Sequence, residues 1–151
     1  MNIVKIEKLN LGGYGIGITD SGDIFEVPFS LPGDHIQIEE TISGRALVKS
    51  IIKNSPDRVD PICPQFGFCG GCSLQHGSDS FVTSWKREIV EKSMFFRGLK
   101  VTVKDIFTSG QFSRRRAVFT GKRTRKKVIV GFNSRGTDVI VPLNGCILLH
   151  R

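Results

Sequence analysis

The chain has 151 residues, 39% apolar and 24% charged, with 22 Lys and Arg against 14 Asp and Glu for a net charge of +8. That length fits one ordinary core or two small ones, and the composition is that of a globular protein rather than a disordered or fibrous one. No apolar run approaches the ~20 residues of a membrane helix, and the first residues lack the charged-then-apolar order of a signal peptide, so the expected setting is the cytoplasm with no membrane partner.

In chain order, residues 1–54 predict five short strands separated by glycine turns. Ile3–Leu9 is the first, Ile16–Thr19 the second and Ile24–Val27 the third. Pro28–Asp34 forms a long loop with a turn at Pro32-Gly33. His35–Ile42 alternates, with Ile36, Ile38 and Ile42 on one face. Ser43-Gly44 turns the chain, and Ala46–Lys53 closes the set. Five strands in so short a span suit a small OB-like barrel. Gly13, Gly15 and Gly17 lack the following helix of a dinucleotide fingerprint and are expected to form a flexible turn that lets the backbone come close to a ligand.

Asn54–Pro61 reads as a linker, because its two prolines disfavour a continued strand or a helix. Residues 79–96 predict one helix, with Phe81, Trp85, Ile89, Lys92 and Phe96 near one stripe. Ser78 or Asp79 can cap its start, and Gly98 would end it. Val101–Phe107, Ala117–Gly121, Val128–Phe132 and Asp138–Leu143 are expected as further strands. The expected fold is therefore β-rich α+β. An OB-like barrel occupies residues 1–54, a linker and cysteine loop 55–76, and a basic α+β region 77–151.

The charge is unevenly spread. Residues 1–54 hold five basic and seven acidic groups, a net of −2, whereas residues 106–137 hold nine basic groups and no acid. Arg114, Arg115, Arg116, Lys122, Arg123, Arg125, Lys126 and Lys127 supply eight of the nine. Such a block suits an anionic partner, and RNA is the expected one. Phe112, Phe119 and Phe132 are interspersed; they can stack on unpaired bases, but alternation in strands favours core positions for them. Part of Arg114–Arg116 is expected to face inward and brace the cysteine region.

Cytosolic cysteines point to metal or redox chemistry before disulfides. Five residues separate Cys63 from Cys69 and two separate Cys69 from Cys72. Three thiolates on one glycine-rich loop can grip three corners of an iron–sulfur cubane, with Gly67, Gly70 and Gly71 letting the backbone approach the sulfides. A fourth ligand must come from elsewhere, and Cys146 is the one cysteine left. Zinc held by four thiolates is the rival, although zinc sites usually use two compact pairs. His76 can replace a cysteine in a zinc site; otherwise it is expected behind the ligands or at the surface.

The string Ser55-Pro56, Arg58-Val59, Pro61, Cys63-Pro64, Phe66-Gly67, Cys69-Gly70-Gly71-Cys72, Leu74-Gln75-His76 resembles the bacterial 23S rRNA (uracil-5-)-methyltransferases that carry a [4Fe–4S] cluster. In that family three cysteines have this spacing and a fourth follows much later; here 73 residues lie between Cys72 and Cys146. Leu9, Gly12-Gly13-Tyr14-Gly15 and Val27–Asp34 are similar to a TRAM domain, the RNA-binding OB-like barrel placed before the cluster. Trp85-Lys86, Arg114-Arg115-Arg116-Ala117 and Val130-Gly131-Phe132 resemble the family's central domain. The resemblance implies Cys63, Cys69, Cys72 and Cys146 as cluster ligands and rRNA as partner. It implies S-adenosylmethionine as methyl donor in the full-length family only. The family's cysteine nucleophile, general base and S-adenosylmethionine domain have no matching positions here. No catalytic residue is therefore assigned, and the chain is expected to be the RNA- and cluster-binding portion, inactive alone. The alternative is a stand-alone zinc- or cluster-containing RNA-binding module, redox-sensing or not.

Overall fold

A computed structural model describes residues 2–40 and 45–150. The chain divides into two compact units, one of Met1–Asp60 with His76–Val103, the other of Pro61–Gln75 with Lys104–Arg151.

The first unit opens with β1 (Asn2–Leu9), β2 (Gly15–Ile18), β3 (Ile24–Val27), β4 (His35–Glu40) and β5 (Ala46–Lys53). They form one antiparallel sheet in the order β3-β2-β1-β4-β5. A parallel bridge from Glu26 to Arg45 joins the two edge strands. The circuit β1-β2-β3-β5-β4 is that of an OB-like barrel, as the strand pattern predicts. The expected position of Ile42 and the turn at Ser43-Gly44 lie outside the described residues.

Period-two patterning places the core. Val4 and Ile6 of β1, Val27 of β3, Ile36 and Ile38 of β4 and Ala46 of β5 are buried together, with Phe25 packed against them. Each fully buried Val or Ile contributes about 1.5–3 kcal/mol. Gly15 and Gly17 are buried strand residues of β2, not a flexible turn. A Cβ on Gly15 would lie 2.0 Å from Ser30 Oγ and 2.8 Å from Ile6 Cγ2, and one on Gly17 would lie 3.0 Å from Val4 Cβ. Their lack of a side chain serves close packing inside the barrel rather than a ligand's approach.

The linker after β5 is tied to the loop after β3. Buried Asp34 accepts from Leu31 N–H and Ser55 N–H, both at 2.7 Å, and from Arg58 Nε at 3.1 Å. Arg58 Nη2 donates to Asp34 Oδ2 and, at 3.0 Å, to the Phe29 carbonyl. His76 is buried here as well, 3.4 Å from the Ser30 carbonyl and edge-on to Phe29. It belongs to the barrel unit and is buried there, which corrects the alternative that places it at the surface.

Helix α1 spans Asp79–Phe95, with Ser78 accepting from Phe81 N–H at 3.2 Å. Gly98, at φ 79°, follows its end, and Leu99 N–H reaches the Met94 carbonyl at 3.0 Å. Phe81, Trp85 and Ile89 are half-buried, but Lys92 is exposed and Phe96 is 83% exposed, so the expected stripe covers only the first three turns.

In the second unit β6 (Thr120–Arg123), β7 (Val128–Asn133) and β8 (Ile140–Pro142) form an antiparallel sheet in that order. Residues 101–107, expected as a strand, belong to no ladder among the described residues. The strand expected at Ala117–Gly121 starts three residues later and ends two later, at Thr120–Arg123.

Candidate functional site

The loop carrying three cysteines is built from local turns. Phe66 N–H donates to the Cys63 carbonyl at 3.0 Å, Cys69 N–H to the Gln65 carbonyl at 2.9 Å, and Gly67 takes φ 93° between them. That left-handed conformation is open to glycine at no steric cost. Gln75 Oε1 accepts from Cys63 N–H at 3.2 Å, which draws the two ends of the loop together.

The end of β7 holds this loop in place. Gly70 N–H donates to the Asn133 carbonyl at 2.9 Å, and Cys69 forms an antiparallel bridge with Ser134. A Cβ on Gly70 would lie 2.8 Å from that Asn133 carbonyl oxygen, so no larger residue fits without moving backbone. Arg135 Nη2 donates to the Cys72 carbonyl at 2.8 Å and to Ser73 Oγ at 3.2 Å. Arg135 and Asn133 are site-shaping residues that the spacing of cysteines gives no means of finding. A cleft of about 540 Å³ lies between Gly70, Gly71, Phe132 and the turn after β7.

All four cysteines are half-buried free thiols of the second unit. Burial pushes the Cys72 thiol up from its ordinary value; a hydrogen bond with Gln75 opposes this, and the charges of Cys146, Cys69 and Cys63 add to it. Gly145, at φ 71°, turns the chain immediately before Cys146.

Four thiols are a donor type that iron–sulfur clusters and zinc share. Gly71 N–H already points at Cys69 Sγ, 3.4 Å away, the kind of backbone-to-sulfur bond that clusters use. Among the described residues no three Cys, His, Asp or Glu side chains converge as ligands of one metal ion.

The basic residues lie at the surface. Lys122 and Arg123 lie on β6, and Arg125 and Lys126 form the tip of the β6–β7 hairpin, which Thr124 closes. Thr124 Oγ1 donates to the Lys127 carbonyl at 2.7 Å. Arg114, Arg115 and Arg116 are all exposed, which corrects the expectation that part of this run faces inward. They line an open groove of about 790 Å³ with Val118, Phe119 and Leu149. Phe119 packs edge-on against Phe132, ring centroids 5.1 Å apart, and keeps 38% of its surface exposed.

No protein-family model matches the chain. Curated proteins do: over almost its whole length the chain is homologous to proteins named RNA methyltransferases. One from Brucella suis, described as an uncharacterized RNA methyltransferase, is 36% identical over 143 residues, covering 95% of this chain and 34% of the relative. Another so described, from Agrobacterium fabrum, is 37% identical over 149 residues, 95% of this chain and 35% of the relative. More particularly, the 23S rRNA (uracil(1939)-C(5))-methyltransferase RlmD of Francisella tularensis subsp. novicida is 30% identical over 157 residues, 97% of this chain and 35% of that protein. The chain spans about a third of the length of these relatives.

Proposed function

We propose that this chain is the RNA-recognition portion of an S-adenosylmethionine-dependent RNA (uracil-5-)-methyltransferase acting on rRNA. In this reading Cys63, Cys69, Cys72 and Cys146 hold one [4Fe–4S] cluster. The observation that carries the RNA assignment is the exposed, acid-free set of basic residues, in a chain whose relatives are RNA methyltransferases. The cluster assignment is supported by four free thiols in one unit, three on a loop pinned to β7. When bound, the cluster supplies a rigid tie between residues 63–72 and Cys146. Arg135 and Gln75 orient the loop, Gly70 lets it lie against β7, and the hairpin and arginine groove receive RNA phosphates. The barrel, similar to a TRAM domain, orients the RNA through uncharged contacts.

Binding then depends more on the late basic segment than on the barrel, whose residues 1–54 carry a net −2. Removing one cation that meets a phosphate should flatten the dependence of log affinity on log salt by about 0.7 on single strands. Changing Arg123, Arg125, Lys126 and Lys127 together to Ala should weaken binding to all RNA sequences and lower that slope. Unchanged binding by this variant, with most affinity abolished in a Lys5/Lys8/Lys49→Ala variant, would assign the RNA surface to the barrel instead.

A further inference from the structure

The hairpin and the groove offer different chemistry. The hairpin presents cations alone, which any nucleic acid backbone satisfies. The groove presents the same charge beside an apolar floor. Val118 is 91% exposed and Phe119 38%, and Leu149 lines the groove with them. Apolar surface left open next to three arginines has no use for a phosphate. It matches a flat, weakly polar group that arrives joined to one.

The groove is also pre-formed. Arg114 N–H donates to the Leu148 carbonyl at 2.9 Å, His150 N–H to the Arg114 carbonyl at 3.0 Å, and Phe112 N–H to the Ile147 carbonyl at 2.7 Å. Arg114 and Leu149 pair as a parallel bridge. These bonds hold floor and wall as one piece. None of Arg114, Arg115 and Arg116 makes an ion pair among the described residues, so their charge is available to a ligand. The volume, about 790 Å³, lies within the ~300–1,000 Å³ of pockets that accept small organic groups.

We infer that the groove of Arg114–Arg116, Val118, Phe119 and Leu149 is a subsite for an unpaired nucleotide of the RNA, its base on Phe119 and Val118 and its flanking phosphates on the arginines. This rests on the reading of the chain as RNA-binding and adds which state of RNA the site selects. A duplex keeps its base faces stacked on one another and offers the groove only phosphates and 2′-hydroxyls. An unpaired base offers a π face, which aromatic side chains accept without regard to sequence.

The test compares a 12-nucleotide RNA strand with its own duplex, by fluorescence anisotropy on the 151-residue chain, with wild type, Phe119→Leu and Arg125→Ala/Lys126→Ala. Wild type should favour the strand by about tenfold, the scale of one aromatic–base stack. Phe119→Leu keeps apolar packing against Phe132 but should lose most of that preference while keeping the salt slope. The hairpin variant should weaken strand and duplex alike and keep the preference. A 5-iodouridine strand photo-crosslinked to wild-type protein gives a second readout independent of how any variant folds, and adducts should map to residues 114–119 or 149–150. Equal binding of strand and duplex, an undiminished preference in folded Phe119→Leu, or adducts confined to 122–127 would overturn the subsite while leaving RNA binding intact. Failure of both RNAs to bind would overturn both readings.

Discussion

Asp34 and Arg58 are the pair on which the loop after β3 and the linker after β5 converge. Asp34 is fully buried and accepts from two backbone amides as well as the guanidinium, so its charge is compensated from several sides. Truncating one member of such a pair leaves the other's charge buried without its partner, which costs about 3–5 kcal/mol. Asp34→Ala should therefore lower the barrel's unfolding free energy by about that much in a urea titration. A loss under about 1 kcal/mol, the scale of an exposed pair, would mean that Arg58 is solvated where it sits. The sequence shows Asp34 only as a turn residue after Pro32-Gly33, because nothing local marks an acid that will be buried by a partner 24 positions on. The glycines of β2 mislead for a related reason. Gly13-x-Gly15-x-Gly17 announces conformational freedom, yet Gly15 and Gly17 are glycine because Ser30, Ile6 and Val4 occupy the space a Cβ would need. The cysteine loop is the legible part at this scale, since ligand type and spacing are local. Arg135 and Asn133, which hold that loop, are not legible, since they reach it from more than sixty residues away.

Among the elements, the short β-prone runs bounded by glycine or polar turns can be read to within a residue, as in β1, β3 and β5. Residues 101–107 show the limit of that signal. Their alternation describes a strand with one apolar face, but a strand also needs a neighbouring ladder, and Phe107 stands 96% exposed. Helix α1 is legible from its ends. Ser78 satisfies an otherwise orphaned Phe81 N–H, and Ser78 N–H itself donates to the Asp57 carbonyl at 2.8 Å, so the cap also fixes the linker. Ser78→Ala should cost about 0.5–2 kcal/mol. Circular dichroism during thermal unfolding measures it, and an unchanged midpoint would show that Asp79 or water takes over the cap. Periodicity does not reveal that the last turn of α1 and the residues after it bury nothing. Phe95, Phe96 and Leu99 look like core residues in a sequence and are exposed here.

At the scale of the whole molecule, the basic segment and the cysteines fall in the same unit. The basic hairpin, the arginine groove and all four cysteines belong to the unit of Pro61–Gln75 and Lys104–Arg151, while the barrel unit is held by a small apolar core and the Asp34–Arg58 pair. A tie between residues 63–72 and Cys146 would brace the strands that carry the basic groups, linking the cluster to RNA binding through stability rather than through chemistry on the RNA. The most direct measurement is the metal content of protein purified without oxygen. The account predicts a brown protein with about four irons and about four acid-labile sulfides per chain, both disappearing on Cys146→Ser substitution. One tightly held zinc per chain with no sulfide would contradict it.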